Sequence, residues 1–171
     1  MVDVPNRNFL SPLNFKFVLK RAPNVMFFVQ SAEIPGLALP NIDVSNPLIR
    51  APFPGDHLLY DEFNISFKVD EDLNNFLELH NWIRALGKIN YYEYDVLSKK
   101  SITSGESIRS DITLTLLTSN KNPNFEIVFK DAFPIRVSGF TLNTTDSDID
   151  YVESSATFKY LSYDINSVKN V

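Results

Sequence analysis

The chain has 171 residues and no cysteine, and its formal net charge at pH 7 is −5. This length suits one domain, and the lack of cysteine excludes a disulfide scaffold, a thiolate zinc site and a thiol nucleophile. The negative charge argues against a surface that grips nucleic-acid phosphates, which needs clustered Lys and Arg. Hydrophobic residues make up 44% of the chain, so a packed core is expected.

The beginning of the chain lacks the periodicity of a core element. We expect residues 1–12 to form an arm and residues 13–171 to form one domain. No basic stretch followed by an apolar core marks a secretory signal, and the longest clean apolar run, Val25–Val29, is far shorter than a membrane span. We therefore expect a soluble protein that is intracellular when it is made and has no membrane contact.

Two strands are predicted next. In Leu13–Lys20 apolar and polar residues alternate, which indicates a strand with one face in water. Arg21–Asn24 predicts a turn, and Val25–Glu33 predicts a second strand that forms a hairpin with the first.

The segment Ile34–Pro54 is too long for a simple connection and holds five of the ten prolines. A loop of this length without its own core usually has a function. Its short apolar alternations predict an extended, protruding hairpin, whose apolar side chains need a partner. We predict that a neighbouring copy of the chain contacts Leu37, Leu39, Ile42, Val44, Leu48, Ile49, Arg50 and Phe53. The alternative is a loop folded back over the chain's own core.

The stretch Pro54–Gly87 carries the clearest local pattern. After a turn, Phe63–Val69 alternates apolar and polar residues and predicts a strand with one buried face. Three carboxylates then stand where they can cap a helix start: Asp70, Glu71 and Asp72. The apolar period changes to three and four residues, which predicts a helix with the core-facing stripe Leu73, Phe76, Leu77, His80, Ile83 and Leu86. Gly87 is expected to end the helix in a left-handed conformation.

The second half of the chain reads mainly as strands. Lys88–Val96 predicts a short edge strand or an irregular cover, and Leu97–Glu106 predicts an exposed loop. The further predicted strands are Ser107–Thr118, Phe125–Lys130, Ile135–Leu142 and Val152–Tyr163, and Phe133-Pro134 is expected to end the second of them. We predict a mainly β fold, a β-sandwich or small barrel with one amphipathic helix on one edge and a long protruding hairpin.

Residues able to carry chemistry are scarce. His57 and His80 lie in different predicted elements, and no histidine pair has the spacing of a transition-metal site. Asp146, Asp148 and Asp150 are spaced like calcium ligands, but such a loop also needs a glycine and a distal glutamate, so we interpret them as a solvated turn. We predict neither an enzyme nor a metal or cofactor site.

Three groups of residues resemble, in order, the motifs of one family. The first group is Ile34-Pro35-Gly36. The second is Gly55-Asp56, Tyr60-Asp61-Glu62-Phe63-Asn64-Ile65-Ser66-Phe67 and Asp70-Glu71, followed by a helix that carries Trp82. The third is Ala132-Phe133-Pro134, Gly139-Phe140-Thr141-Leu142 and Ala156–Tyr163. Over residues 13–165 the chain resembles the tail tube proteins of T4-like contractile-tailed bacteriophages.

The resemblance implies a structural virion protein whose subunits form hexameric rings that stack into the inner tube of a contractile tail. It implies that the long hairpin contacts the adjacent ring, that DNA passes through the tube, and that tail sheath, baseplate and tape-measure proteins are partners. Baseplate and tube-terminating proteins share this fold, so the chain is either the repeating subunit or a related protein that forms one ring.

The charge suggests how such a tube would work. A channel lined by acidic and neutral side chains would repel DNA phosphates, so the genome would slide through it. A rival hypothesis is a host- or carbohydrate-binding β-sandwich, in which Tyr91, Tyr92 and Tyr94 form a stacking platform.

Overall fold

The computed structural model of the chain describes residues 9–45, 49–88, 90–104, 108–144 and 151–168. The strands in these ranges are β1 (Phe15–Leu19), β2 (Val29–Glu33), β3 (Leu37–Ala38), β4 (Asn41–Ser45), β5 (Arg50–Pro54), β6 (Leu59–Tyr60), β7 (Phe63–Lys68), β8 (Ser110–Leu117), β9 (Pro123–Val137), β10 (Glu153–Lys159) and β11 (Ser162–Ser167). The helices are α1 (Pro23–Phe28), α2 (Asn74–Leu86) and α3 (Tyr91–Ser104). The predicted mainly β fold is confirmed, with three helices in place of one. None of these helices is both long enough and apolar enough to cross a membrane.

One long strand, β9, connects the two halves of the main sheet. Its first part pairs antiparallel with β8 and β11, and its last part pairs with β10. The partner changes next to Asp131, whose φ of 54° bends the strand. The Asp131 N–H donates to Asp111 Oδ1 at 3.0 Å, which supports the bend. The strand order is β1-β8-β9-β10-β7-β2, with β11 attached to β9.

The bend in β9 produces two layers with the core between them. The first layer is β1, β8, β11 and the first part of β9, and the second layer is β2, β7, β10 and the last part of β9. Phe63 of β7 contacts Phe129 of β9 across the layers, with ring centroids 4.4 Å apart, and Phe17 of β1 at 6.3 Å. Strands β1 and β2 end the strand order without pairing with each other, so the described chain is an open sandwich and not a closed barrel.

The prediction of one strand over Val25–Glu33 is wrong in its first half. Pro23 stands at the first turn of α1, where its fixed φ favours a helix, and the short helix places Val25 fully inside the core. The strand that follows, β2, pairs with β7. The predicted hairpin between the first two strands is therefore absent, because β1 pairs instead with β8.

The predicted acidic cap of the main helix is also wrong. Helix α2 begins at Asn74 after Leu73, which adopts a left-handed conformation with a φ of 59°, and no side chain caps it. Asn75, which is fully buried, makes the local hydrogen bonds instead: its amide donates to the Lys68 carbonyl at 2.7 Å, and its Oδ1 accepts from the Asp70 N–H at 3.4 Å. Gly87 is right-handed, with a φ of −70°, and the left-handed residue is Lys88.

The face of α2 that enters the core differs from the predicted stripe. The buried residues are Asn75, Leu79, Trp82 and Ala85. Of the predicted stripe, Phe76, Ile83 and Leu86 are half-buried, while Leu73, Leu77 and His80 are exposed. Apolar residues occur on more than one side of this helix. Trp82 decides its rotation, because its Nε1–H donates to the carbonyl of Ile108, two residues before β8, at 3.2 Å.

A third helix replaces the predicted edge strand and loop after residue 88. Asn90 precedes α3, and its Oδ1 accepts from the Tyr92 N–H at 3.1 Å, which is the contact of a helix N-cap. Leu97 packs against the core, and Lys99 forms an ion pair with Asp95 one turn away. The tyrosine-rich sequence favours a strand by propensity, but the cap and the packing of Leu97 stabilise a helix.

The strand boundaries near the C-terminus also differ from the prediction. Strand β9 continues through Phe133-Pro134, and the missing N–H of Pro134 is tolerated because the ladder with β10 is irregular there. The strand predicted over Ile135–Leu142 ends at Val137. The strand predicted over Val152–Tyr163 divides into β10 and β11, and between them the Leu161 N–H donates to the Lys130 carbonyl at 2.9 Å.

The two leucines of α2 that the sequence ranks in the wrong order provide a test of this packing. Leu79 is 0% exposed and Leu77 is 43% exposed. Leu79→Ala should lower the free energy of unfolding by about 2–5 kcal/mol, and Leu77→Ala by less than about 1 kcal/mol. Urea denaturation of dilute, monomeric protein, followed by the fluorescence of Trp82, measures both. Equal losses would contradict the assigned helix rotation.

Candidate assembly surfaces

Catalytic groups do not converge in the described part of the chain. His57 and His80 are both exposed, and no three His, Asp or Glu side chains there could hold a metal ion. Burial raises the pKa of Glu78, and hydrogen bonds from the Asn24 N–H and amide lower it only in part. Glu78 lines a cleft of about 660 Å³ between α1, α2 and α3, and the described residues that border this cleft include no histidine or serine. Asp146, Asp148 and Asp150 lie outside the described residues.

The predicted hairpin is present and protrudes. Among the residues that the structure describes, β4 and β5 pair only with each other and β3 pairs only with β6, so this arm is not part of the main sheet. The predicted contact residues that the structure describes are all exposed: Leu37, Leu39, Ile42, Ile49, Arg50 and Phe53. The Val44 side chain and the whole of Leu48 lie outside the described residues. Because Ile42 pairs with Phe53 across the ladder, one face of the hairpin is apolar.

A cluster of tyrosines anchors the arm to the sandwich. The rings of Tyr60, Tyr160 and Tyr163 contact one another with centroids 5.7 to 6.0 Å apart, and Tyr160 also packs on Phe129 at 5.0 Å. The Tyr160 hydroxyl donates to the Asp61 carbonyl at 2.8 Å. No local sequence pattern predicts this cluster, because Tyr60 is 100 residues from Tyr160 and 103 from Tyr163. The alternation of Phe158 and Tyr160 in the predicted strand Val152–Tyr163 indicated only that Tyr160 lies on the same side of the strand as Phe158.

Backbone contacts also fix the base of the arm. The Gly55 N–H donates to the Pro40 carbonyl at 2.7 Å, and a Cβ on Gly55 would lie 2.7 Å from the same oxygen. At Gly36 a Cβ would lie 2.6 Å from Asp61 Oδ2, while the Asp61 N–H donates to the Gly36 carbonyl at 3.2 Å. Glycine at position 55 lets the two sides of the arm approach closely.

Three strands of the sandwich have one unpaired edge. Strands β1, β2 and β11 each pair on one side only in the described structure. A cavity of about 390 Å³ separates β1 from α1 and β2, and Phe15, Met26 and Val29 are among its lining residues. Ile165 of β11 is 57% exposed although it lies on the core side of its strand, next to Ile127. Such edges can pair with another chain.

The outward faces of both layers are mainly polar. The first layer turns outward Lys16, Val18, Asp111, Thr113, Thr115, Glu126, Val128, Lys130, Asp164 and Asn166. The second layer turns outward Ser31, Glu33, Asn64, Ser66, Lys68, Arg136, Glu153, Ser155, Thr157 and Lys159. Lys130 forms an ion pair with Asp164. The remaining charged residues of the first layer are the carboxylates Asp111 and Glu126 and one cation, Lys16, so carboxylates are in excess. In the described strands, neither face carries a cluster of unopposed cations.

The tyrosines of the rival hypothesis lie on helix α3. Tyr91 and Tyr92 are exposed, and Tyr94 is half-buried with the Lys88 ammonium 4.8 Å from its ring centre. Adjacent positions of a helix point in different directions, so Tyr91 and Tyr92 do not share one flat surface.

The anchoring tyrosine gives a prediction for alkaline pH. Burial, and then the neighbouring Tyr163 and Asp61, raise the pKa of Tyr160 to about 12 from a usual value of 10.0. Because the pKa is raised in the folded protein, the stabilising contribution of Tyr160 is complete below pH 10 and is lost as the pH rises to about 12. The variant Tyr160→Phe should show a shallower loss of stability over this range and should lack the last phenol to ionise at 295 nm. Tyr91→Phe is the control and should retain the ionisation of this last phenol. If Tyr160→Phe also retained it, the last phenol to ionise would not be Tyr160.

Solved structures of contractile injection systems have a similar fold. The tube-terminating cap of the anti-feeding prophage matches with a TM-score of 0.64 and 13% identity over 97% of this chain and 96% of that chain. The extended sheath–tube complex of an extracellular contractile injection system, PVC, matches with a TM-score of 0.63 and 12% identity over 95% and 94%. The six-fold-symmetrised baseplate of the anti-feeding prophage matches with a TM-score of 0.60 and 11% identity over 96% and 99%. At these identities the likeness concerns the fold.

The family comparison covers almost the whole chain. No curated protein matches in sequence. Residues 7–166, however, match the family described as phage tail tube protein. This match confirms the resemblance found in the motifs and the prediction of a structural, non-enzymatic protein of a virion tail. The chain belongs to the phage tail tube protein family.

Proposed function

We propose that this protein is the repeating subunit of a tail tube, that six copies form each ring, and that stacked rings conduct DNA during ejection. The observation that carries the proposal is the protruding arm, whose exposed apolar residues Ile42, Ile49 and Phe53 have no partner element in the described chain. Side chains of this kind stay in water only at a cost, so a surface that exposes several of them usually marks an interface.

Ring closure would complete the unpaired edges. Strands β1, β2 and β11 present N–H and C=O groups that a neighbouring copy can pair, and pairing around a closed ring removes every edge. Ile165 and the cavity beside β1 would be covered in the same step. The six-fold symmetry of the similar baseplate structure supports the number six.

The polar outer faces suit a channel for DNA. A channel wall made mainly of hydroxyl, amide and carboxylate side chains, in which Lys130 is paired with Asp164, offers phosphates no cationic cluster to bind, and the net charge of −5 adds repulsion. The first layer, with its excess of carboxylates, is the better candidate for this wall.

Other proteins of the tail would be the partners of the tube. The sheath would surround the tube, the baseplate would start it, and a tape-measure protein would occupy its channel during assembly. The similar structures include a terminating cap and a baseplate protein with nearly the same TM-score as the tube, so a related one-ring protein is the alternative function. The length of the assemblies distinguishes the two, since a terminator forms single rings.

Electron microscopy of the purified protein tests the role of the arm. Wild-type protein should form rings and tubes several rings long. The double variant Ile42→Asp with Ile49→Asp should remain folded and form rings without tubes, because a carboxylate on the apolar face of the hairpin would be buried without a partner. Val96→Asp is the matched control, since Val96 is half-exposed on α3, and it should form tubes. Tubes from the double variant would exclude the hairpin as the stacking element, and persistent wild-type monomers would overturn the proposed function.

Nuclease protection tests the channel. Tubes assembled with a short DNA duplex and then treated with nuclease should protect no DNA at physiological salt. Glu126→Lys places a cation on the first layer and Glu153→Lys places one on the second. The variant that protects DNA identifies the channel wall, and we expect it to be Glu126→Lys. Protection by the wild-type tube would contradict a repelling channel.

A further inference from the structure

The exposed side of α2 carries an apolar patch at its N-terminal end. Leu73 and Leu77, one turn apart, are 39% and 43% exposed. Beside them Phe76 stacks on His80 at 6.2 Å and meets Phe140 edge-on at 5.3 Å. We call Leu73, Phe76, Leu77 and Phe140 the α2 patch. Helix faces of this kind are normally buried against another element.

Three carboxylates border the α2 patch. Asp70, Glu71 and Asp72 immediately precede Leu73, and none of them forms an ion pair with a described residue. One oxygen of Asp70, Oδ1, is buried without a hydrogen-bond partner. An apolar surface with unpaired carboxylates at its rim fits a partner that is apolar and carries a cation.

The hairpin of the arm has this composition. Ile42 and Phe53 form its apolar face, and Ile49, the residue before β5, is exposed on the side of the tip. Arg50 pairs with Ser45 at the tip end of the ladder, is exposed, and forms no ion pair in the described chain. The only carboxylate of the two strands, Asp43, lies two residue pairs farther from the tip.

The arm and the α2 patch lie at opposite ends of the sandwich. The arm occupies residues between Glu33 and Phe63, which are the end of β2 and the start of β7 at the same end of the second layer. Helix α2 follows the other end of β7, after Lys68. The six residues of β7 separate the two ends by about 20 Å. The hairpin and the α2 patch of one molecule therefore lie too far apart to touch each other. The hairpin of one copy can instead reach the α2 patch of a second copy stacked on it.

We propose that the α2 patch is the receptor for the β4–β5 hairpin of a second copy of this chain. The apolar face of the hairpin covers Leu73 and Leu77, and the Arg50 guanidinium lies among Asp70, Glu71 and Asp72. This contact is heterologous, since each copy uses a different surface on each side, and it repeats without end along the stacking direction. The inference rests on the proposed function in one respect, namely that copies stack.

Single variants of the receptor provide the first test. Leu77→Asp should leave the subunit folded, with a Tm close to that of the wild type, because the side chain is on the surface. Its rings should stack poorly, so that the yield of tubes in electron micrographs falls by about tenfold or more. Val96→Asp is again the matched control and should assemble fully. Tubes of normal length from Leu77→Asp would overturn the inference while leaving the proposed function intact, and a clear fall in the Tm of the isolated subunit would show that the chain itself covers the patch.

Charge reversal tests the rim without changing the apolar surface. Arg50→Glu should reduce the yield of tubes, and adding Glu71→Arg and Asp72→Arg to the same chain should restore it. The effect should weaken as the salt concentration rises. An unchanged yield for Arg50→Glu, or no restoration in the combined variant, would exclude the proposed pairing.

A mixing experiment distinguishes the heterologous contact from a symmetric one. Rings of Leu77→Asp keep an intact hairpin, and rings of Ile42→Asp with Ile49→Asp keep an intact receptor. Each population alone should remain as single rings. The mixture should form stacks of two rings and no longer tubes, because only one hairpin-to-receptor contact is possible. Single rings in the mixture would contradict the inference, whereas failure of the wild type to stack at all would instead overturn the proposed function.

Discussion

The contact between Phe63 and Phe129 is the interaction on which the rest of the structure depends. Phe63 belongs to the second layer and Phe129 to the first, and their ring centroids lie 4.4 Å apart in the middle of the core. Both residues are fully buried. In the described structure β9 is the strand that both layers share. The contact between the two phenylalanine side chains holds the layers together face to face, so that the bent sheet forms a sandwich.

The sharing of β9 also explains why the sandwich is open. A strand that serves both layers must bend, and the bend at Asp131 leaves β1 and β2 at the two ends of the strand order. Strand β11 continues the register of β10 along the same side of β9, opposite β8. The bend in β9 that forms the core therefore also leaves strand edges unpaired. In a tube protein, unpaired edges are suitable places for contacts between subunits.

The arm likewise has a base that contacts its own sandwich and an outer part that is exposed to solvent. Its base is held by tyrosine contacts, the Gly55–Pro40 hydrogen bond and the close approach at Gly36. Its outer part has only its own ladder, with apolar residues in solvent. A fixed base and an exposed end direct the apolar residues away from the molecule that carries them. On the opposite end, the α2 patch and its carboxylates have complementary chemistry.

The sequence by itself determined the features that depend on interactions between residues close together in the chain. The alternation in Phe63–Val69, the protruding hairpin after Ile34 and the mainly β class follow from side-chain period and proline content. The motifs around them were sufficient to identify the tail tube family. Only the tertiary structure decided the rotation of α2, because apolar residues lie on several sides of that helix and the hydrogen bond of Trp82 to Ile108 selects one of them. The same holds for the partners of β1 and β2 and for the tyrosine cluster at Tyr60, whose members are distant in the sequence and meet only when the long strand β9 brings the two layers together.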